Sequence, residues 1–212
     1  MSTRIKICGI TRAEDGLEAA RLRVDFIGFI FYAPSKRYLD PARAGRIVQA
    51  IRERYGQSAP KAIGVFVDES PERIAEIRSI AQLDGAQFSG DETPQAVAAA
   101  APFRIRGLTI LTLDRLERYT AEAYLCDTHD PVQKGGTGRP YDYEILRPYL
   151  ARFPILVSGG LTPETVGSVA GSLRPWGVDV SSSIETAPGV KDHERMRAFI
   201  RAVRMADGSD FV

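Results

Sequence analysis

The sequence predicts a single (β/α)8 TIM barrel with a phosphate-binding site after strands seven and eight, an α/β fold, on three observations. Short apolar, β-rich runs recur eight times along the 212 residues. Stretches with helical spacing of apolar side chains separate them, as in repeated parallel β/α units. Eight units in a chain of this length favour a closed barrel over an open doubly wound sheet.

The runs fall at 5–8, 26–29, 62–66, 86–88, 106–109, 123–126, 155–158 and 178–181. Leu17, Ala20 and Leu22 follow the first at helical spacing, Ala44, Ile47, Val48 and Ile51 the second, and Ile74, Ile77 and Ile80 the third. Met196, Phe199, Ile200 and Val203 mark the last helix. Asp40-Pro41, Ser70-Pro71, Thr93-Pro94 and Thr162-Pro163 each set a capping side chain before a proline, the chemistry of a helix start. Periodicity is weakest in the fourth and fifth units, where 96–101 is nearly all alanine. No linker divides the chain, which reads as one catalytic domain over 1–206 with a short, frayed tail, 207–212. The one long break, 128–140, is polar and Gly-rich, and Gly135, Gly136, Thr137 and Gly138 within it suit the hinges of a lid.

Hydrophobic residues make up 44% and charged residues 26%, an ordinary globular balance. The formal net charge is +1, from 28 basic and 27 acidic side chains. No global basic field argues for nucleic acid, so an anionic ligand needs a local site. Two cysteines make no disulfide framework, and His129 and His193 join no metal-ligand cluster, so no metal is expected. The N-terminus lacks a leader pattern and no apolar stretch reaches ~18 residues, which suggests a cytoplasmic chain with reduced thiols and no membrane partner.

In such a barrel the site lies at the C-terminal ends of the strands. Alternation turns Ile5 and Ile7 towards the helices and Lys6 and Cys8 inwards. Asp127 falls at the barrel mouth, and Cys126 faces a helix. Cys8 reads either as a small buried hydrophobe or as a thiol base, and Asp127 as a turn carboxylate or an acid. Lys6 either lowers the thiol pKa or pairs with a buried carboxylate and fills the barrel. Arg37, in Ser35-Lys36-Arg37, is either a solvated turn cation or a guanidinium fork for a carboxylate. Two clusters follow strands seven and eight: Ser158-Gly159-Gly160-Leu161-Thr162 and Asp179-Val180-Ser181-Ser182-Ser183-Ile184. Gly159, Gly160, Ser181, Ser182 and Ser183 suit a phosphate, held by close backbone N–H groups, by hydroxyls and by a helix N-terminus.

The chain resembles the phosphoribosylanthranilate isomerases through Lys6-Ile7-Cys8-Gly9-Ile10-Thr11, Gly28-Phe29-Ile30-Phe31 with Ser35-Lys36-Arg37, and Gly64-Val65-Phe66-Val67. The resemblance continues in Leu125-Cys126-Asp127, Gly135-Gly136-Thr137-Gly138, Ser158-Gly159-Gly160-Leu161 and Gly177-Val178-Asp179-Val180-Ser181-Ser182. It ends in Ile184-Glu185-Thr186-Ala187-Pro188-Gly189-Val190-Lys191-Asp192. It implies a cofactor-free Amadori rearrangement in tryptophan biosynthesis, with Cys8 as base and Asp127 as acid. Arg37, Lys6, Gln87 and Asp179 would contact the substrate, a small phosphorylated molecule, and the chain would act as a monomer or homodimer. Asp127 should carry a proton when the substrate is bound, its pKa raised by the closed site, and Cys8 should have a lowered pKa. Two positions depart from the family pattern: Ser89 stands where a histidine is usual, and Ser183 where a glycine is usual. A positive φ at 183 would cost serine about 1 kcal/mol or more. Two rivals remain. One is a different sugar-phosphate isomerase or aldolase, for which Lys6 is the inward amine; the other is a non-catalytic phosphate binder, suggested by Ser89 and Ser183.

Overall fold

The computed structural model describes residues 2–128 and 141–208. Eight parallel strands close on themselves in chain order, each paired with the next and β1 (Arg4–Cys8) with β8 (Gly177–Val180). Between them run β2 (Phe26–Ile30), β3 (Lys61–Phe66), β4 (Gly85–Phe88), β5 (Arg104–Thr109), β6 (Ala123–Asp127) and β7 (Ile155–Val157). The outer ring contains α1 (Ala13–Arg21), α2 (Pro41–Tyr55), α3 (Pro71–Ile80), α4 (Pro94–Ala100), α5 (Arg147–Leu150), α6 (Val166–Leu173) and α7 (His193–Ala206). The TIM barrel expected from the eight runs is therefore the fold.

Period-two alternation sorts the strand side chains into two cores. Ile5, Ile7, Ile27, Phe29, Phe66, Phe88, Cys126 and Val178 point outwards and join the core under the helices. Phe26, Ile63, Ile105, Ala123, Leu125 and Leu156 point inwards and form a smaller apolar plug. Phe103 and Trp176 stack on Phe26 at this end, with the Arg4 guanidinium over the Trp176 ring. The N-terminal end of the barrel is thus sealed with apolar rings, and the inward polar residues lie further along the strands.

Three of the expected caps form. Asp40 accepts from Ala42 N and Arg43 N, Ser70 from Arg73 N, and Thr93 from Ala96 N, each with proline beginning its helix. The fourth does not: Thr162 donates its own N–H to Thr165 Oγ1, a turn intervenes, and α6 starts only at Val166. In the fifth unit a 3₁₀ segment, Ile110–Arg118, replaces an α-helix. A short antiparallel hairpin, β9 (Glu185–Ala187) and β10 (Val190–Lys191), follows β8 and has no counterpart among the eight runs. Asp207, just past α7, accepts hydrogen bonds from Thr3 N and Thr3 Oγ1, so the expected tail is tied down at its first residue; 209–212 lie outside the described residues.

The first and last helices are clasped by Glu18 of α1, which accepts from Arg21 at 2.7 and 2.8 Å and from Arg197 of α7 at 2.9 Å. The Arg21 hydrogen bonds hold its carboxyl at about 2, against the opposing effect of burial. A depressed folded-state pKa gives stability that is present above the ordinary carboxylate value and lost as pH falls towards 2. Glu18→Gln is expected to lower the urea midpoint at pH 7 by the equivalent of up to ~1 kcal/mol, the scale of a largely surface pair. The gap from the parent should close between about pH 5 and pH 2 in a urea series.

Candidate active site

The β1–β8 register sets Lys6 directly beside Asp179 on the inner face. Lys6 Nζ lies 2.7 Å from Asp179 Oδ1, and the lysine side chain is fully buried. Ser158 Oγ donates to the other carboxylate oxygen at 3.2 Å. Burial alone would lower the lysine pKa; the charge and hydrogen bond of Asp179 more than offset this and hold the ammonium above its ordinary value. A locked ammonium is a poor Schiff-base nucleophile, which argues against the aldolase reading.

Cys8 ends β1 opposite Gly28 of β2. A Cβ at position 28 would sit 2.9 Å from Cys8 Sγ and 3.3 Å from Lys6 Nζ, so glycine is what leaves room for thiol and ammonium together. Burial pushes the Cys8 thiol up, while Lys6 and, more weakly, Lys191 pull it down; the net position is above the ordinary thiol value. The lowering expected from Lys6 is therefore outweighed, chiefly by burial and further by the Asp179 carboxylate, which raises the thiol. Of the two sequence readings of Lys6, the structure shows the lysine filling the barrel paired with a carboxylate. Cys126 lies in the outer core, where burial lifts its thiol to about 12 and leaves it inert.

Asp127 ends β6 with its side chain on the inner face, and its Oδ1 accepts from Thr128 N at 2.7 Å and Thr128 Oγ1 at 3.1 Å. Gly159, after β7, packs against it: a Cβ there would stand 2.5 Å from Asp127 Oδ1, and φ is +84°. Tyr143 donates to Gly159 O at 2.6 Å and Tyr141 to Cys126 O at 3.3 Å, so two tyrosines brace the Asp127 end of β6 and the loop after β7. Sequence reasoning missed both. The lid candidates Gly135, Gly136, Thr137 and Gly138 lie outside the described residues.

The loops after β7 and β8 meet. Ser183 Oγ donates to Leu161 O at 2.6 Å, and Gly159 and Gly160 both have positive φ. Residue 183 is not among the positive-φ positions, so its serine carries no left-handed strain; it sits in a 3₁₀ turn, Ser182–Ile184. Among the described residues, the backbone N–H groups of Gly159, Gly160, Ser182 and Ser183 donate to no other group. The hydroxyls differ from expectation. Ser181 Oγ donates to Cys8 O at 3.1 Å and Ser183 Oγ to Leu161 O, which leaves Ser182 as the one hydroxyl of the three without such a bond among the described residues. Arg195 of α7 reaches the Ser183 carbonyl from outside at 2.6 Å.

Arg37 is drawn over the end of β1, with its stem against Gly9. Its Nε and Nη2 edge faces Glu185 of the hairpin, at 3.0 Å for Nε and 2.7 Å for Nη2, while Nη1 makes no hydrogen bond among the described residues. Burial raises the Glu185 carboxyl, but Arg37 and Lys191 outweigh it and hold it below its ordinary value. Lys191 Nζ is 2.8 Å from Glu185 Oε1. The role of Glu185 and Lys191 escaped sequence reasoning; the Pro188-Gly189 pair between them is the turn signal that could have revealed the hairpin. Gln87 of β4 is buried on the inner face, donates to Ser89 Oγ at 3.1 Å, and keeps its Oε1 without a partner. The serine at position 89 thus serves as an acceptor for Gln87.

Among the described residues, no group of three His, Cys, Asp or Glu side chains is arranged to hold a metal, and no helix is long and apolar enough to cross a membrane. Comparison with known proteins agrees with this geometry. The family model described as N-(5'phosphoribosyl)anthranilate (PRA) isomerase matches residues 5–202. The N-(5'-phosphoribosyl)anthranilate isomerase of Trichlorobacter lovleyi is 39% identical over 211 residues, covering 96% of this chain and 98% of the relative. The phosphoribosyl anthranilate isomerase of Thermus thermophilus superposes with a TM-score of 0.85 at 33% identity, over 96% of this chain and 99% of its own. A further structure of such an isomerase, in complex with reduced 1-(o-carboxyphenylamino)-1-deoxyribulose 5-phosphate, has a TM-score of 0.80 at 34% identity, with 96% and 99% covered. With matches along nearly its whole length and a barrel mouth lined by a thiol, a carboxylate and two amide-bearing loops, the chain belongs to the N-(5'-phosphoribosyl)anthranilate isomerase family.

Proposed function

We infer that the chain converts N-(5'-phosphoribosyl)anthranilate to 1-(2-carboxyphenylamino)-1-deoxyribulose 5-phosphate, an aldose–ketose isomerisation of tryptophan biosynthesis, with Asp127 as acid and Cys8 as base. The observation that carries this reading is the pairing of an inward thiol at the end of β1 with an inward carboxylate at the end of β6. Asp127 gives a proton to the furanose ring oxygen as the C1–O bond breaks, and the amine lone pair forms the C1=N bond of the Schiff base. Cys8, as thiolate, then takes the proton from C2. The electron pair moves into a C1=C2 enolamine, which tautomerises to the ketone. The protonated acid is favoured when the two anionic groups of the substrate arrive at the mouth.

Binding divides among the remaining residues. The four unengaged amides of Gly159, Gly160, Ser182 and Ser183, with the Ser182 hydroxyl, suit the phosphate. The Nη1 side of Arg37 suits the anthranilate carboxylate. The unpaired Oε1 of Gln87 would accept from a substrate hydroxyl or N–H, since a buried acceptor left alone is costly. Lys6 and Asp179 would form the polar floor beneath the sugar. Fluorescence turnover of substrate made in situ from anthranilate and phosphoribosyl pyrophosphate, with no added metal, tests the reading; a folded chain that binds phosphate but leaves anthranilate adducts unchanged would support the binder instead.

Cys8→Ala and Asp127→Asn should each lower kcat/KM by at least ~10²-fold, the scale of a lost general acid or base. Cys126→Ala should turn over almost as the parent does, because its side chain is in the outer core. Near-normal activity in either of the first two variants would remove that residue from its role.

Arg37→Ala should raise KM with kcat little changed, as for a contact made equally in ground and transition states. An analogue without the carboxylate should bind this variant no worse than the parent. A pure kcat defect would place Arg37 at the reacting atoms.

Crystals grown in sulfate should hold the anion between the loops after β7 and β8. Gly160→Ala, which adds a side chain at a φ of +71°, should weaken inhibition by phosphorylated analogues more than inhibition by unphosphorylated ones. An anion found elsewhere at the mouth, or equal loss for both inhibitor classes, would contradict the assignment.

A further inference from the structure

Lys191 is an unusual lysine to find in a two-residue strand. Its side chain is fully buried, and every donor of its ammonium is engaged: Cys8 O at 2.6 Å, Ser181 O at 3.1 Å and Glu185 Oε1 at 2.8 Å, with Ser181 Oγ at 3.5 Å. Burial pulls its pKa below the ordinary lysine value, and Glu185 works against that. The hairpin that carries it is fastened to the same corner by the Thr11 hydroxyl, which donates to Gly189 O, and by Lys191 N, which donates to Asp15 Oδ2 at 3.1 Å.

The charges around Cys8 form two groups. On its own strand and on β8, Lys6 and Asp179 are one cation and one anion in direct contact. On the other side, Arg37 and Lys191 share the single carboxylate of Glu185. Two cations thus meet one anion at Glu185, and a further buried carboxylate, Asp15, accepts from Lys191 N and meets His193 Nε2 at 2.8 Å. Lys6 is the stronger pull on the thiol, and Lys191 adds a second one from the hairpin side.

We propose that Lys191 and Glu185 are positioning residues of the active site: Lys191 holds the Cys8 carbonyl and adds positive charge behind the base, and Glu185 aims Arg37 while limiting that charge. This rests on the reading of Cys8 as the base. It makes a prediction of sign that a purely structural role does not share, because removing the cation and removing the anion should move the thiol in opposite directions.

The test uses the full chain carrying Cys126→Ala, so that Cys8 is the only thiol, and follows its alkylation by iodoacetamide against pH. The midpoint of the profile is read, because altered access changes the plateau rate and not the midpoint. Lys191→Met should move the midpoint up, with alkylation at pH 8 roughly 10-fold slower, the order of one pKa unit from a neighbouring charge. Glu185→Gln should move it down, with alkylation several-fold faster, roughly the same order. In turnover, Lys191→Met should act mainly on kcat, and Glu185→Gln mainly on KM through the loosened Arg37. Unchanged midpoints in both variants, or shifts of the same sign, would overturn the proposal. Should Lys191→Met fail to fold, Glu185→Gln decides alone: no downward shift overturns it. The alkylation profile does not depend on catalysis. If Cys8→Ala retains full turnover, the base assignment fails while opposite midpoint shifts still stand, so the two failures are told apart.

Discussion

The closure of β1 against β8 is the constraint on which the rest of this structure depends, and the buried Lys6–Asp179 pair marks its register. A slip of one residue would turn the lysine out of the barrel and an isoleucine in. It would also leave Asp179 buried without its cation, and an unpaired buried charge costs on the order of 3–5 kcal/mol. Such a pair adds little net stability over an apolar one, but it penalises wrong registers heavily. The same register places Cys8 one step beyond Lys6, opposite a glycine, and brings the loop after β8 to the end of β1. The site is a consequence of how the barrel closes.

Much of this was legible in the sequence because it follows from period-two alternation and strand-end position. Ile5 and Ile7 against Lys6 and Cys8 can be sorted without coordinates, as can Cys126 against Asp127. What was not legible depends on contacts between distant residues. The net pKa of Cys8 needs the position of Asp179, which is 171 residues away in the chain. The engagement of the Ser181 and Ser183 hydroxyls, expected to be open to a phosphate, needs the carbonyls of Cys8 and Leu161. Thr162-Pro163 misled because a cap-like pair also suits a plain turn, and here Thr165 takes the Thr162 N–H. The family resemblance brought the hairpin sequence to notice, but only the fold gave Glu185 and Lys191 their neighbours.

A common electrostatic logic runs through the interior. Lys6 is matched by Asp179, Arg106 by Glu92 at 2.6 Å, and Arg37 with Lys191 by Glu185. Cations at the barrel mouth are thus mostly spent inside the protein, in keeping with a chain whose net charge is only +1. The phosphate of the proposed substrate would then be held by groups that carry no full charge. Backbone amides meet that need: they are fixed before the ligand arrives, and they attract an anion without a counter-carboxylate to neutralise them first.

This balance also bears on the chemistry. An acid and a base at one mouth have opposing needs: a carboxyl that keeps its proton is favoured by negative surroundings, and a thiol that gives its proton up is favoured by positive ones. One uniform potential cannot serve both. The fold separates them around the barrel, with Asp127 on β6 near two tyrosines and Cys8 on β1 near Lys191 of the hairpin and Arg37 of the loop after β2. Phosphate held by neutral amides, as proposed, would add no fixed cation near Asp127. In the proposed mechanism it is the arrangement of charges around the ring, and not their total, that would let one mouth support both proton transfers.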